Sequence, residues 1–373
     1  MFDELAGDLI ELFGRGVDAP LPDDEFDAWA RRVFGFQFRS NPVYRRFCVG
    51  RGVEPDRLES WMEIPAVPTR AFKRLPLVSG DPDRVEAVFR TSGTSLGPGK
   101  RGEHRVRSLA LYRASLLPSF RAHLLPDDAR LPALSLVPSP EAVPDSSLSR
   151  MIGVVFDELA DGGEWVLDPE GGIREDALRG ALAEAEAEGR PLLILSTAFA
   201  LVHWIDAMDR EGWRFRLPEG SRIMETGGFK GRSRTLERGA FYRALEERLG
   251  VPAHRIVNEY GMTELLSQFY EPVMREGRSP ADAVPSDRRH VAPPWVRTRV
   301  LDPGDLSELP PGEPGLLSHL DLANAGSVAA VLTEDMGVEV GEGFRVLGRA
   351  AGAEPRGCSL AMDELLGAAE EGR

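Results

Sequence analysis

The sequence has 373 residues, of which 42% are hydrophobic, so the chain is long enough to bury one large core or two smaller ones. Its formal net charge of -15 excludes general binding to nucleic-acid phosphates, because such a surface needs an excess of lysine and arginine. The two cysteines, Cys48 and Cys358, indicate no disulfide framework, so we expect a reducing compartment, the cytoplasm. The acidic start lacks the features of a secretory signal, and we expect no membrane span.

The beginning of the chain has the periodicity of helices. Phe26, Trp29, Ala30, Val33 and Phe34 follow one another at intervals that place them on one helical face. We therefore predict a helical region over residues 1–84 that packs on the main body of the protein.

An extended segment over residues 85–90 leads into a loop of small hydroxyl residues and glycine, Thr91-Ser92-Gly93-Thr94-Ser95. Backbone N–H groups and hydroxyls in such a loop can wrap a polyphosphate. The loop is not a Walker A motif, because the glycine, lysine and hydroxyl spacing of that motif is missing. A plain surface turn is the alternative interpretation, and the preceding strand favours phosphate binding.

Predicted strands and helices alternate through residues 85–290, which we assign to one α/β core. This alternation is typical of a mainly parallel sheet covered by helices. The predicted strands are 133–137, 192–195, 221–225 and 254–258, and the predicted helices are 108–125, 175–189 and one that ends near Gly212. After residue 290 prolines punctuate short strand-like runs, which predicts a β-rich subdomain over 291–345 before a short tail, 346–373.

A glycine pair follows the strand predicted at 221–225. Gly227 and Gly228 expose backbone against which a planar base can lie. An ordinary turn between a strand and a helix is the competing interpretation when this segment is taken alone.

The segment Asn258–Glu264 also follows a predicted strand. Tyr260, which precedes Gly261 in this motif, offers a ring that can stack on a base. Thr263 and Glu264 offer a hydroxyl and a carboxylate that can reach phosphates and their Mg²⁺. This motif therefore indicates nucleotide binding.

Two further candidates lie near the end of the β-rich region. Asp335 is placed to accept hydrogen bonds from ribose hydroxyls, and Arg349 is placed near phosphate oxygens. In isolation, a solvated hairpin explains the same residues equally well.

The order of these loops resembles the adenylate-forming superfamily of acyl-activating enzymes. The resemblance implies the large-domain architecture of that superfamily, with mainly parallel sheets, a small β-rich subdomain and a much shortened C-terminal region. It also implies ATP and Mg²⁺ as the bound species. The hydroxyl loop, from Thr91 to Ser95, would handle the triphosphate, and Gly227 and Gly228 would meet adenine. The Tyr260–Glu264 segment would contact AMP and Mg²⁺, and Asp335 would bind the ribose.

Within that superfamily the chain resembles LuxE-type acyl-protein synthetases. The similar segments are Ser146-Ser147-Leu148, residues 225–231, residues 258–263 and Arg356-Gly357-Cys358-Ser359-Leu360-Ala361. The resemblance implies a fatty acid substrate, transfer of the acyl group to Cys358, and a partner acyl reductase. It also implies that Thr263 and Glu264 act in catalysis. No lysine follows Arg349, so no catalytic lid lysine is assigned.

Three interpretations remain open. A small buried hydrophobe is the competing interpretation of Cys358, although Gly357 and Ser359 suggest a mobile segment that carries the thiol between sites. A carboxylate:CoA ligase of the phenylacetate type would use the same adenylation chemistry but deliver the acyl group to CoA. A nucleotide-binding subunit without catalytic activity would lack the adenylation step.

Overall fold

The computed structural model describes residues 2–91, 101–168, 170, 172–227, 237–279, 284–350 and 356–370. The α-helices are α1 (Phe2–Phe13), α2 (Asp23–Ser40), α3 (Pro42–Gly50), α4 (Leu109–Leu124), α5 (Ser147–Glu158), α6 (Glu175–Glu188), α7 (Ala198–Glu211), α8 (Arg238–Leu249) and α9 (Arg356–Glu370). The strands are β1 (Val67–Pro68), β2 (Ala87–Arg90), β3 (Glu103–Val106), β4 (Ala133–Leu136), β5 (Gly163–Trp165), β6 (Leu193–Thr197), β7 (Arg222–Thr226), β8 (Ile256–Tyr260), β9 (Phe269–Tyr270), β10 (Val296–Leu301), β11 (Gly315–Asp321), β12 (Ala330–Val340) and β13 (Gly343–Arg349).

These elements form two compact units, named here for their place in the sequence. The central unit comprises Ser119–Gly261 and Phe269–His290, and the terminal unit comprises Met1–Pro118, Met262–Gln268 and Val291–Arg373. Each unit contains its own β-sheet structure.

The central unit is built on a sheet with the strand order β5-β4-β6-β7-β8-β9. Its strands pair in parallel except for β8 and β9, which are antiparallel. Strand β6 is almost continuously apolar, as expected for a strand buried on both faces. Helices α6, α7 and α8 contribute a common apolar core with the strands, in which Leu182, Trp204 and Leu245 are fully or almost fully buried.

The terminal unit contains a mainly antiparallel sheet with the order β1-β12-β11-β10, and β13 pairs with β12. The hairpin β2–β3 is separate from this sheet. A buried glutamine ties α2 to the segment before β12: Gln37 Nε2 donates to the Asn324 carbonyl at 3.0 Å, and Ala329 N donates to Gln37 Oε1 at 3.1 Å. Helix α9 packs on α3 and β1.

The structure confirms the predicted α/β class and the mainly parallel sheet in the middle of the chain. The helix predicted to end near Gly212 is α7, and Gly212 ends it in the left-handed region with φ 71°. The predicted extended segment before the hydroxyl loop is β2. Among the residues that the structure describes, no helix has the length and apolar character needed to cross a membrane.

Candidate active site

The hydroxyl loop begins at the end of β2, and the described chain resumes at Arg101, just before β3. Thr91 N donates to the Gly102 carbonyl at 3.0 Å, and Gly102 N donates to Thr91 Oγ1 at 2.9 Å. Arg101 Nε donates to the Thr91 carbonyl at 2.6 Å. Thr91 therefore closes the base of the loop. The other predicted members, Ser92, Gly93, Thr94 and Ser95, lie outside the described residues.

Three charged side chains of the same unit interact electrostatically with Glu264. Burial raises the pKa of this carboxyl group to about 7, and the nearby Asp335 carboxylate also raises it. The cations Lys73 and Arg349 act in the opposite direction. The structure thus brings together Glu264, Asp335 and Arg349, which are far apart in the sequence, and adds Lys73.

The hairpin β12–β13 sets the spacing of two members of this group. Asp335 and Arg349 are register partners across the two strands, and Arg349 Nε lies 3.7 Å from Asp335 Oδ1. Arg349 also lies 3.8 Å from Glu334, which is bonded in turn to Arg70. Arg349 is half exposed, so its charge faces an accessible region.

Thr263 is held by a histidine that the sequence analysis did not single out. Burial lowers the pKa of His104 to about 4, so the imidazole is neutral near pH 7. Its Nδ1 lies 2.8 Å from the Thr263 carbonyl, which can only accept, so Nδ1 carries the proton. His104 on β3 thus links the hydroxyl-loop hairpin to the segment that bears Glu264.

Two buried polar residues fix the rest of the Met262–Gln268 segment. Asn324 Nδ2 donates to the Glu264 carbonyl at 2.8 Å. The Asp321 carboxylate accepts from Leu266 N at 3.0 Å, Ser267 N at 2.9 Å and Ser267 Oγ at 2.7 Å. Together with the bond from His104 to the Thr263 carbonyl, these bonds hold the backbone on both sides of the Glu264 side chain, which favours a preorganised carboxylate.

The central unit places the other two predicted segments at neighbouring strand ends. Strands β7 and β8 are parallel, and Thr226 lies opposite Glu259. The next residues, Gly227 and Tyr260, are therefore neighbours at the same edge of the sheet. Gly227 has φ 81°, a conformation that favours glycine. Gly228 lies outside the described residues.

Tyr260 and Gly261 have close neighbours within the central unit. The Tyr260 ring centroid lies 5.8 Å from that of His290, and His290 Nε2 lies 2.7 Å from Asn258 Oδ1. A Cβ atom at position 261 would lie 2.2 Å from Glu259 Oε1, so only glycine fits there without a shift of that carboxylate. These contacts define the position of the aromatic ring that the sequence predicts for base stacking.

Two buried glutamates support this sheet edge. Burial raises the pKa of both Glu225 and Glu259 to about 7. Glu225 accepts from Tyr242 Oη at 2.9 Å and Asn258 Nδ2 at 2.8 Å, and Glu259 accepts from Thr226 Oγ1. Their ionised forms are therefore costly in the folded protein.

We expect Glu259→Gln to remove part of the pH dependence of stability. A carboxyl group whose pKa rises from 4.5 to about 7 on folding stabilises the fold most at low pH, and that contribution is lost as pH rises to about 7. Glutamine stays neutral at every pH. The free energy of unfolding of the variant minus that of wild type should therefore be up to about 3 kcal/mol larger at about pH 8 than at about pH 4. Urea unfolding at both pH values measures the difference.

The exposed Glu184→Gln variant is the matched control, because it makes the same chemical change on the surface of α6. It should unfold like wild type at both pH values. Equal effects of the two substitutions would contradict the raised pKa of Glu259.

Cys358 is the third residue of α9, and its side chain is only 3% exposed. Its Sγ lies 3.8 Å from the Thr333 carbonyl, and it packs with Leu301, Leu316 and Leu332. The structure therefore places Cys358 on a helix, whereas its flanking glycine and serine suggested a mobile segment. Cys358 belongs to the stripe of buried residues on α9 that also includes Ala361, Met362 and Leu365, and burial of this apolar face fixes the helix.

Residues 26–367 match the family described as "Acyl-protein synthetase, LuxE". The long-chain-fatty-acid–luciferin-component ligase of Vibrio harveyi is 24% identical over 351 residues, covering 91% of this chain and 88% of the relative. The ligase of the same name from Aliivibrio fischeri is 24% identical over 353 residues, with the same coverage of both chains.

Solved structures show the same fold. A 2-hydroxyisobutyryl-CoA ligase in complex with 2-HIB-AMP and CoA gives a TM-score of 0.61 at 16% identity, covering 88% of this chain and 74% of that one. ATP-bound MatB from Rhodopseudomonas palustris gives 0.50 at 16% identity, covering 73% and 49% of the two chains. Because the family match covers most of the sequence, this chain belongs to the LuxE family of acyl-protein synthetases, and it is a ligase with the adenylate-forming fold.

Proposed function

We propose that this protein uses ATP to activate a long-chain fatty acid as an acyl adenylate, transfers the acyl group to Cys358, and then passes it to a cysteine of an acyl reductase. Family membership supports acid activation, and the names of the relatives from Vibrio harveyi and Aliivibrio fischeri support the fatty acid. The observation that carries the proposal is the grouping of Glu264, Asp335, Arg349 and Lys73 in one compact unit. The two free cysteines fit activity in the reducing cytoplasm.

In the first step, an oxygen of the fatty acid carboxylate attacks the α-phosphorus of ATP, and pyrophosphate leaves. Lys73 and Arg349 supply positive charge near Glu264, which suits contact with phosphate oxygens. We assign ribose binding to Asp335, base contact to Gly227 and Tyr260, and triphosphate binding to the hydroxyl loop that begins at Thr91. Positioning and charge compensation are the main contributions that a protein makes to such a step.

Mg²⁺ fits this arrangement as a companion of ATP. Within the described ranges of the chain, no group of three histidine, cysteine or acidic side chains is placed to hold a metal ion alone. Mg²⁺ usually binds through one or two carboxylates together with substrate phosphates. Glu264 would be the protein ligand, and the ion would neutralise phosphate charge during the attack.

In the second step, Cys358 Sγ attacks the carbonyl carbon of the acyl adenylate. A C–S bond forms, the bond between the carbonyl carbon and the phosphate oxygen breaks, and AMP leaves with that electron pair. The thiol proton passes to solvent.

The alternative function is that of a carboxylate:CoA ligase of the phenylacetate type. The burial of Cys358 supports this alternative. A cysteine with a purely structural role would not accept the acyl group, and a soluble thiol would accept it instead.

Incubation with ATP, Mg²⁺, CoA and a panel of carboxylic acids separates the two functions. We expect a thioester on the protein with long-chain acids and little acyl-CoA, measured by mass spectrometry of the protein and of the small molecules. Cys358→Ala should remove the protein thioester. Acyl-CoA formation at the wild-type rate in Cys358→Ala would favour the alternative.

A further inference from the structure

A cavity of about 220 Å³ lies within the terminal unit, against one face of the sheet β10–β11–β12. Side chains two positions apart on a strand share a face, and the cavity is lined by such pairs. The pairs are Arg299 and Leu301 on β10, Ser318 and Leu320 on β11, and Ala330 and Leu332 on β12. Trp61 and Ile64 also line the cavity, together with the charged or polar residues Arg51, Glu63 and His319.

Cys358 lies over the same face of this sheet. Its buried neighbours are Leu301, Leu316 and Leu332, and Leu301 is the register partner of Leu316. Leu301 and Leu332 also line the cavity. The thiol and the cavity therefore share two leucines of one apolar floor.

Two residues beside the thiol also belong to the cavity wall. Ala66 and Leu306 pack against the Cys358 cluster and line the cavity. Leu306 has φ 63°, which is rare for a branched residue and persists only where the surroundings fix it. A Cβ atom on Gly357 would lie 2.6 Å from Leu306 Cδ2, so glycine permits the close approach of this side chain to the first turn of α9.

We propose that this cavity binds the hydrocarbon chain of the acyl group that Cys358 carries as a thioester. The proposal rests on the transfer step of the proposed function. The volume is below the ~300–1,000 Å³ of pockets for drug-sized ligands, so the cavity would hold only the part of the chain next to the thioester. Burial of methylene groups against the leucine floor holds the chain, and the same packing keeps water from the thioester carbon.

The test uses alkyl methanethiosulfonates, because they modify a thiol without ATP or acid activation. In this reaction the thiolate forms a mixed disulfide with the alkylthio group, and methanesulfinate leaves. The full-length Cys48→Ser protein is treated with the methyl, butyl and octyl reagents, and the Cys358 peptide is quantified by mass spectrometry. Rates are divided by those of the same reagents with the unfolded protein.

We expect the normalised rate at Cys358 to be about tenfold higher for the octyl than for the methyl reagent, since burial of a few methylenes is enough for this ratio. Ala330→Phe should abolish the octyl preference by filling the cavity. Leu320→Ala should extend the preference to a longer chain, dodecyl, by enlarging it. Neither position belongs to the Cys358 cluster. Opposite changes in the preferred reagent length in the two variants would distinguish chain binding from a general loss of folding.

Three results would each overturn the proposal. The normalised rate could be independent of chain length, no reagent could modify Cys358, or the octyl preference could survive in Ala330→Phe. Failure of the proposed function has a different signature. In that case the octyl preference at Cys358 would be present, but ATP and fatty acid would produce no thioester on the protein.

Discussion

Replacing Cys358 with alanine is expected to abolish the thioester that the protein forms with ATP and fatty acid, while acid activation continues. Alanine removes the nucleophile of the second step only. Acid-dependent exchange between pyrophosphate and ATP should therefore change by less than about threefold. Radiolabelled fatty acid followed by denaturing electrophoresis measures the thioester, and its release by hydroxylamine identifies the bond.

Cys48→Ala is the matched control. Cys48 is fully buried, and burial raises the pKa of its thiol to about 12, so it contributes almost no thiolate near neutral pH. This variant should form the thioester as wild type does. Persistence of the thioester in Cys358→Ala, or its loss in Cys48→Ala, would remove Cys358 from the mechanism.

Replacing Glu264 with glutamine is expected to slow acid-dependent pyrophosphate exchange by about 100-fold, the scale of losing one preorganised charged group at a reacting phosphate. Glutamine has nearly the same shape and resembles the protonated glutamate, so the buried segment should remain folded. The variant should also need more Mg²⁺ for half-maximal exchange, because it lacks the carboxylate proposed to bind the ion. A titration with Mg²⁺ measures this requirement.

The pH profile supplies a second readout for Glu264. Its pKa of about 7 means that the carboxylate is largely protonated below that pH and ionised above it. Wild-type exchange at limiting Mg²⁺ should therefore rise with pH through about 7, and this rise should be absent in Glu264→Gln. Glu334→Gln is the control, since it changes a neighbouring carboxylate to which we assign no role. Equal losses in both variants would contradict a specific role for Glu264.

Local sequence patterns were sufficient to predict β4, β6, β7 and β8, but not the short strands β3, β5 and β9. The apolar residues of β6, β7 and β8 and the glycine after α7 act within a few positions of each other, so their effects are visible without tertiary contacts. The grouping of Glu264 with Asp335 and Arg349 was predictable only through the resemblance to a family, because no local rule joins residues so far apart.

The features that were missed depend on packing between distant segments. His104 and Thr263 are 159 positions apart, and nothing in a short alternating strand marks its histidine as a partner for that carbonyl. Lys73 was missed for the same reason. The helical spacing of Cys358 with Ala361 and Leu365 was present in the sequence, but the flanking glycine and serine favoured a mobile segment. Burial of the apolar face of α9 outweighed that local preference.

Acid-dependent exchange of labelled pyrophosphate into ATP is the most direct test of acyl activation by this protein. With Mg²⁺ present and CoA omitted, wild-type protein should catalyse exchange only when a carboxylic acid is added, and long-chain fatty acids should be the best of a broad panel. Absence of exchange with every acid, from protein shown to be folded, would contradict acyl adenylate formation and favour a nucleotide-binding subunit.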